Sequence, residues 1–152
     1  MGNLPESSLI RHEMVLRELQ LPHEVELTKK SLVRWLALSL GLISPNESRT
    51  LMLDVLEALL FFHAKKEEPS IHDIFEKLGE IRKNEGVNPK AVRYHLLQLK
   101  NKGIISRKKG KYSFSLNPQN QSGDLGEALE SLYIERVKSA FLNIRRALKG
   151  VK

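Results

Sequence analysis

Asn88-Pro89 and Gly103 bracket a stretch of helical length, and after Gly103 comes a short alternating segment folded around Lys108-Lys109-Gly110-Lys111. Asparagine ahead of proline is a strong helix start. Its side-chain oxygen accepts from a free backbone N–H, and proline loses nothing at the first helical position. Ile104-Ile105 and Tyr112-Ser113-Phe114-Ser115-Leu116 alternate as two short strands about the tight turn. Upstream, Pro69-Ser70 opens another helix, with Asp73 three positions beyond the serine and Gly86 as its expected end. So few residues then separate the two helices that they must meet at a sharp angle, as in a helix-turn-helix.

Charge falls on the same stretch. From Arg82 to Lys111 there are ten bases and one acid, Glu85, a local charge of +9 in a chain whose net charge is +7. The remainder is therefore −2, and the whole basic excess lies on one capped helix and its hairpin. A field of that kind attracts a polyanion, and a helix beside a basic hairpin has a shape that suits nucleic acid.

The rest of the chain carries its own punctuation. Ser7 or Ser8 caps an expected amphipathic helix with Leu9, Ile10, Met14, Leu16 and Leu19, closed by Pro22. Thr28 caps a second, Lys29 to Leu40, ended by Gly41. Ser44-Pro45-Asn46-Glu47 has the form of a capping box, from which a third helix runs to about Lys66. Its apolar residues cover too much of the circumference for a one-sided helix, which predicts burial on several sides. Trp35 is expected to pack with the N-terminal helices. Asn117 to Gly123 reads as a loop before a last long helix. Composition, 41% apolar and 28% charged, is that of a globular protein. No stretch reads as a signal peptide or a membrane span, and a soluble, cytoplasmic, nucleoid-associated protein is expected.

The run Asn88-Pro89-Lys90-Ala91-Val92-Arg93-Tyr94-His95-Leu96-Leu97-Gln98-Leu99-Lys100-Asn101-Lys102-Gly103-Ile104-Ile105 resembles winged helix-turn-helix regulators of the MarR and ArsR type, from bacteria and archaea. The likeness spans residues 50–116: a polar cap, a valine, a basic-aromatic-His triplet, paired leucines, a glycine with two apolar residues, and Tyr112 where the second wing strand resumes. The resemblance implies a transcriptional regulator that binds duplex DNA as a homodimer. The fold class expected is mainly α with a small β-hairpin, a winged helix-turn-helix core flanked by N- and C-terminal helices. Residues 1–43 form supporting N-terminal helices, 44–118 the DNA-binding domain, and 124–150 a dimerisation helix. Two features depart from the family: the wing turn is shorter than usual, and the chain has no cysteine for thiolate metal sensing.

In helix-turn-helix docking the first half of the second helix enters the major groove. With Val92, Leu96 and Leu99 turned inward, Lys90, Arg93, Tyr94 and Gln98 project as base-contact candidates. Arg93 suits the paired acceptors of a guanine edge, and Gln98 suits adenine. Asn88, Lys100, Arg107, Lys108, Lys109 and Lys111 are backbone-contact candidates, which bring affinity but little sequence information. Plain alternatives stand beside each: Asn88 as a simple helix cap, and the wing lysines as charges that protect an edge strand from aggregation.

The last helix places Asp124, Glu127, Glu130 and Glu135 ahead of Arg136, Lys138, Arg145, Arg146, Lys149 and Lys152. Complementing the helix dipole accounts for that split; so does antiparallel pairing of two such helices. Its apolar residues Leu125, Leu129, Leu132, Tyr133, Val137, Phe141, Ile144 and Leu148 are the dimerisation candidates. His12, His23, His63, His72 and His95 show no metal-ligand spacing, and no phosphate-binding glycine loop or nucleophile–base pair is apparent. Neither a cofactor, a metal nor catalysis is expected. The leading reading is a sequence-selective DNA-binding regulator. The alternative is a winged-helix module that binds proteins, or nucleic acid non-specifically, within a transcription, replication or chromosome complex; RNA is a third possible ligand.

Overall fold

The computed structural model describes residues 2–47, 50–115 and 124–151. They are mainly helical, with one small antiparallel hairpin. After a 3-10 turn at Pro5–Leu9 come α1 (His23–Glu26), α2 (Lys29–Ser39), α3 (Leu51–Ala64), α4 (Ile71–Ile81) and α5 (Pro89–Asn101). The strands β1 (Ile105–Lys108) and β2 (Lys111–Phe114) precede α6 (Leu125–Gly150). The chain divides into two compact units, Met1–Ser113 and Phe114–Lys152.

In the first unit α3 is the central element, packed by α2, α4 and α5. It buries Met52, Val55, Leu56, Ala58 and Leu59, so its apolar residues are used around most of its circumference as their spread predicts. Val33 and Ala37 from α2, Ile74 and Leu78 from α4, and Val92, Leu96 and Leu99 from α5 complete the core with Ile104 and Ile105. Each helix contributes residues spaced three or four apart, the geometry that sets one stripe inward. Burying such side chains stabilises by about 1.5–3 kcal/mol each.

The amphipathic helix expected across the first 22 residues does not form. Apart from the 3-10 turn, residues 10–22 are non-helical and lie along α2 as a strap. Arg17 explains the outcome. Its backbone N–H donates to Ser39 O at 2.8 Å, and its carbonyl accepts from Ser39 Oγ at 2.8 Å. Its guanidinium donates to Leu38 O at 2.8 Å, satisfying a carbonyl at the end of α2, and to Ile43 O at 3.0 Å in the segment that follows. Trp35 Nε1 donates to Gln20 O at 2.7 Å, which ties the strap again. Val15 lies so close to Gly41 that a Cβ there would sit 2.5 Å from its side chain, and Gly41 holds φ +71°. These tertiary bonds outweigh a modest local helical pattern.

Other boundaries shift for identifiable reasons. Thr28 Oγ1 accepts from Ser31 N, as a cap to α2 should. Ser44 N donates to Glu47 Oε2 at 3.1 Å, half of the expected box, yet residues 45–46 form a turn and α3 starts only at Leu51. α4 ends at Ile81, before Gly86, because Lys83 and Asn84 take the left-handed conformation at φ 52° and 66°. α5 starts and stops as its sequence predicts. The expected loop at 117–123 lies outside the described residues.

Candidate nucleic-acid interface

The helices that carry the basic residues are held by local chemistry at both ends. Ser70 Oγ accepts from Asp73 N at 3.2 Å, while Asp73 Oδ2 accepts from Ser70 N at 3.0 Å. This reciprocal box starts α4. The hydrogen bonds from Ser70 hold the Asp73 carboxyl below its ordinary range, with His72 and Lys111 adding smaller attractions. At the far end of α4, Arg82 Nη1 donates to Asp54 Oδ2 at 2.8 Å. The pair is largely desolvated and fixes the start of the α4–α5 turn to the central helix. It also removes Arg82 from the free positive charge counted in the sequence.

Asn88 opens α5, its Oδ1 accepting from Lys90 N at 2.9 Å and Ala91 N at 3.4 Å. Its side chain thus acts as the plain cap. With Val92, Leu96 and Leu99 buried, Lys90, Arg93, Tyr94 and Lys100 are exposed and Gln98 is half-buried. Tyr94 is 56% exposed, large for an aromatic ring. Two of the base-contact candidates are engaged with each other, since Gln98 Nε2 donates to the Tyr94 hydroxyl at 2.6 Å. The Arg93 guanidinium lies 5.9 Å from the centre of the Phe75 ring on α4, a cation–π approach that links the two helices. Leu97, 52% exposed, stands among these polar groups.

α5 leads through Gly103 directly into the hairpin. Ser106 and Ser113 hydroxyls lie 3.4 Å apart, and the Arg107 guanidinium sits 5.7 Å from the Tyr112 ring. This register sets Lys108 opposite Lys111 across a two-residue turn. Lys109 and Gly110 both have positive φ, 52° and 77°, as a type I′ turn requires. Lysine at the first of these positions is uncommon, and the usual choice is Asn, Asp or Gly. Arg107, Lys108, Lys109 and Lys111 are all exposed. The hairpin is anchored at its base: Tyr112 N donates to Pro69 O at 2.8 Å, and Ser70 and Lys111 form an isolated antiparallel bridge. Strand β2 thereby joins the N-terminal end of α4, so α4, α5 and the hairpin form one connected frame.

Three of these contacts have no direct signal in the sequence. The Asp54–Arg82 pair was visible only as an acid inside the apolar run Leu51–Leu56. The Pro69–Ser70 bridge to β2 is too short to carry a strand pattern, and the Arg93–Phe75 contact depends on the helix crossing. The dimerisation candidates lie in α6, where Ala128 and Tyr133 are buried, Leu125, Leu129 and Leu132 half-buried, and Val137, Phe141, Ile144 and Leu148 exposed. Among the described residues no three His, Cys, Asp or Glu side chains gather as a metal site, and no helix is long and apolar enough to cross a membrane. No family model matches the chain, and no curated protein or solved structure matches it either, so the functional reading stands on its own geometry.

Proposed function

We propose that this protein binds duplex DNA as a homodimeric, sequence-selective transcriptional regulator. α5 enters the major groove, and the basic hairpin rests on the phosphate backbone. The observation that carries the reading is the set of exposed cations Lys90, Arg93, Lys100, Arg107, Lys108 and Lys109 on one cross-tied helix–helix–hairpin frame. The order α3, a bridge at Ser70, α4, α5, β1, β2 is also that of a winged helix-turn-helix. Lys108 and Lys109 carry no ion pair among the described residues, and their mutual repulsion is relieved by a polyanion. The chemistry is that of a binding protein, with no catalytic step.

A second reading has its own support. Tyr94 and Gln98 are bonded to each other and Arg93 leans on Phe75, whereas Lys108 and Lys109 carry no ion pair among the described residues. That arrangement also suits binding through the backbone alone, with little reading of bases. The two separate on one experiment: select bound duplexes from a random pool, then compare Arg93→Ala on a selected site and on bulk DNA. A palindromic consensus with a loss of about 1–3 kcal/mol confined to the selected site supports the regulator. No enrichment, or an equal loss on both, supports the non-specific module.

A further inference from the structure

The second half of α6 has an apolar face that nothing among the described residues covers. Ile134, Val137, Phe141, Ile144 and Leu148 are 43%, 50%, 48%, 42% and 67% exposed. From Val137 to Gly150 every residue is exposed, so more than half of this 26-residue helix stands in solvent. The solvated stretch 137–150 is close to the length, about 12–15 residues, below which an isolated helix is marginal in water without packing.

The spacing says what kind of packing. The five residues are separated by three, four, three and four positions, a strict heptad seam with Ile134, Phe141 and Leu148 at a, Val137 and Ile144 at d. It is not a continuation of the half-buried stripe nearer the start of the helix. At 100° per residue, Leu125, Leu129, Leu132 and Tyr133 centre roughly a third of a turn away from it. The helix thus carries two faces with separate uses.

The flanks identify the occupant and its direction. One flank of the seam, position e, is Lys138 and Arg145; the other, position g, is Tyr133, Ala140 and Ala147, all uncharged. In a parallel pair each e flank lies against the partner's g flank, whereas in an antiparallel pair e lies against e. A second copy running antiparallel over this seam sets Lys138 against Arg145 of its partner, cation on cation. Running parallel, Lys138 lies against the partner's Tyr133 and Arg145 against the partner's Ala140, and no cation meets a cation. An unrelated acidic helix has no use for the uncharged flank, but a two-fold axis uses both, because each copy supplies what the other needs.

We infer that residues 134–148 of α6 form a parallel two-stranded coiled coil with the same segment of a second copy. This gives form to the homodimer proposed above but rests on α6 alone. The absence of cysteine makes a clean test possible in the full-length chain. Ile144→Cys, at a d position, is expected to give a 144–144 disulfide under mild oxidation. An equimolar mixture of Phe141→Cys and Ile144→Cys chains distinguishes the antiparallel register, which favours the mixed product. Light scattering is expected to give twice the chain mass for the unmodified protein at micromolar concentration. The exposed-site change Phe141→Glu is expected to give a monomer that keeps its folded core while the second half of α6 loses helicity by circular dichroism. A monomeric unmodified chain, a predominance of the mixed disulfide, or a monomer recruited to anionic lipid vesicles through the same face each overturns the inference. Duplex binding measured on the Phe141→Glu monomer reports separately on the DNA reading, so failure of one is not mistaken for failure of the other.

Discussion

The α5–hairpin frame and the outer half of α6 are both strongly basic, yet their cations sit in different physical settings. On the frame, each charged side chain projects from backbone fixed by a cap, a bridge or a buried ion pair, and the apolar residues beneath it are consumed by the core. On α6 the cations Lys138, Arg145, Arg146 and Lys149 accompany an apolar seam that stays open. Charge alone therefore does not assign a role. One set of cations stands on fixed backbone over a finished core, the other beside an apolar seam that remains exposed.

The largest test removes the fixing. Asp54→Ala leaves Arg82 without its partner in a mostly desolvated place, where its Nε already lacks a hydrogen bond. Breaking buried pairs costs 3–5 kcal/mol; because both side chains keep some solvent contact, a loss of roughly 3 kcal/mol is expected in urea unfolding. Replacing both members by apolar residues, Asp54→Leu with Arg82→Met, is expected to restore most of it. If Asp54→Ala alone is neutral, the α4–α5 turn is not held as described, and the contrast between the two basic regions loses its basis.

A matched charge removal sharpens the contrast next. Changing Lys108, Lys109 and Lys111 to Gln is expected to lower the slope of log affinity against log salt by as much as ~2.7 if each meets one phosphate, at about 0.9 per contact. Lys111 also faces the Asp73 carboxylate, so the shortfall from that figure measures how far it is already neutralised. Changing Lys138, Arg145 and Arg146 instead removes equal charge from α6, and the slope is expected to hold nearly constant. Equal drops in the two variants would mean that net charge, not placement, drives association.

How much of this was legible in the sequence depended on the range of the interaction. The Ser70–Asp73 box and the Asn88 cap were readable because their partners lie within three residues. The Lys109-Gly110 turn was readable for the same reason. The N-terminal strap was not, since its conformation is decided by Arg17 reaching carbonyls 21 and 26 positions away. Ser44–Glu47 is the instructive intermediate: the local bond forms as predicted, but whether a helix propagates from it is a tertiary question that the local pattern does not contain. On α6 the heptad spacing is written in the sequence, while exposure alone shows that the seam is still unfilled.

A pH test addresses the start of α4 on a smaller scale. The Asp73 carboxyl is held below its unfolded value, so its contribution is complete above the ordinary carboxylate range and is lost as pH falls through the depressed folded value. Ser70→Ala keeps the backbone N–H that is the main cause of the depression, removes the smaller side-chain contribution, and is expected to cost about 1 kcal/mol near neutral pH through the lost cap. Acid unfolding of the variant is expected to show a shallower pH dependence than that of the parent. A variant as stable as the parent at neutral pH would show that the box does not hold the site where β2 is anchored.

The smallest change couples the two properties. Lys109 holds φ 52° at the hairpin tip, a conformation that glycine takes without a Cβ penalty, and it does so beside Lys108 and close to Lys111. Lys109→Gly relieves a left-handed cost of about 1–2 kcal/mol, offset by about 0.5–1 kcal/mol of added chain entropy in the unfolded state, so a net stabilisation of about 0.5–1 kcal/mol is expected. The same substitution is expected to weaken duplex binding and to lower the salt slope by about 0.9. Opposite signs in one variant identify a residue kept for its ligand at the expense of the fold, as strained positions at functional sites are. If binding is unaffected while stability rises, the lysine serves only to keep the edge strand soluble, and the hairpin's role in gripping the backbone passes to Arg107 and Lys108.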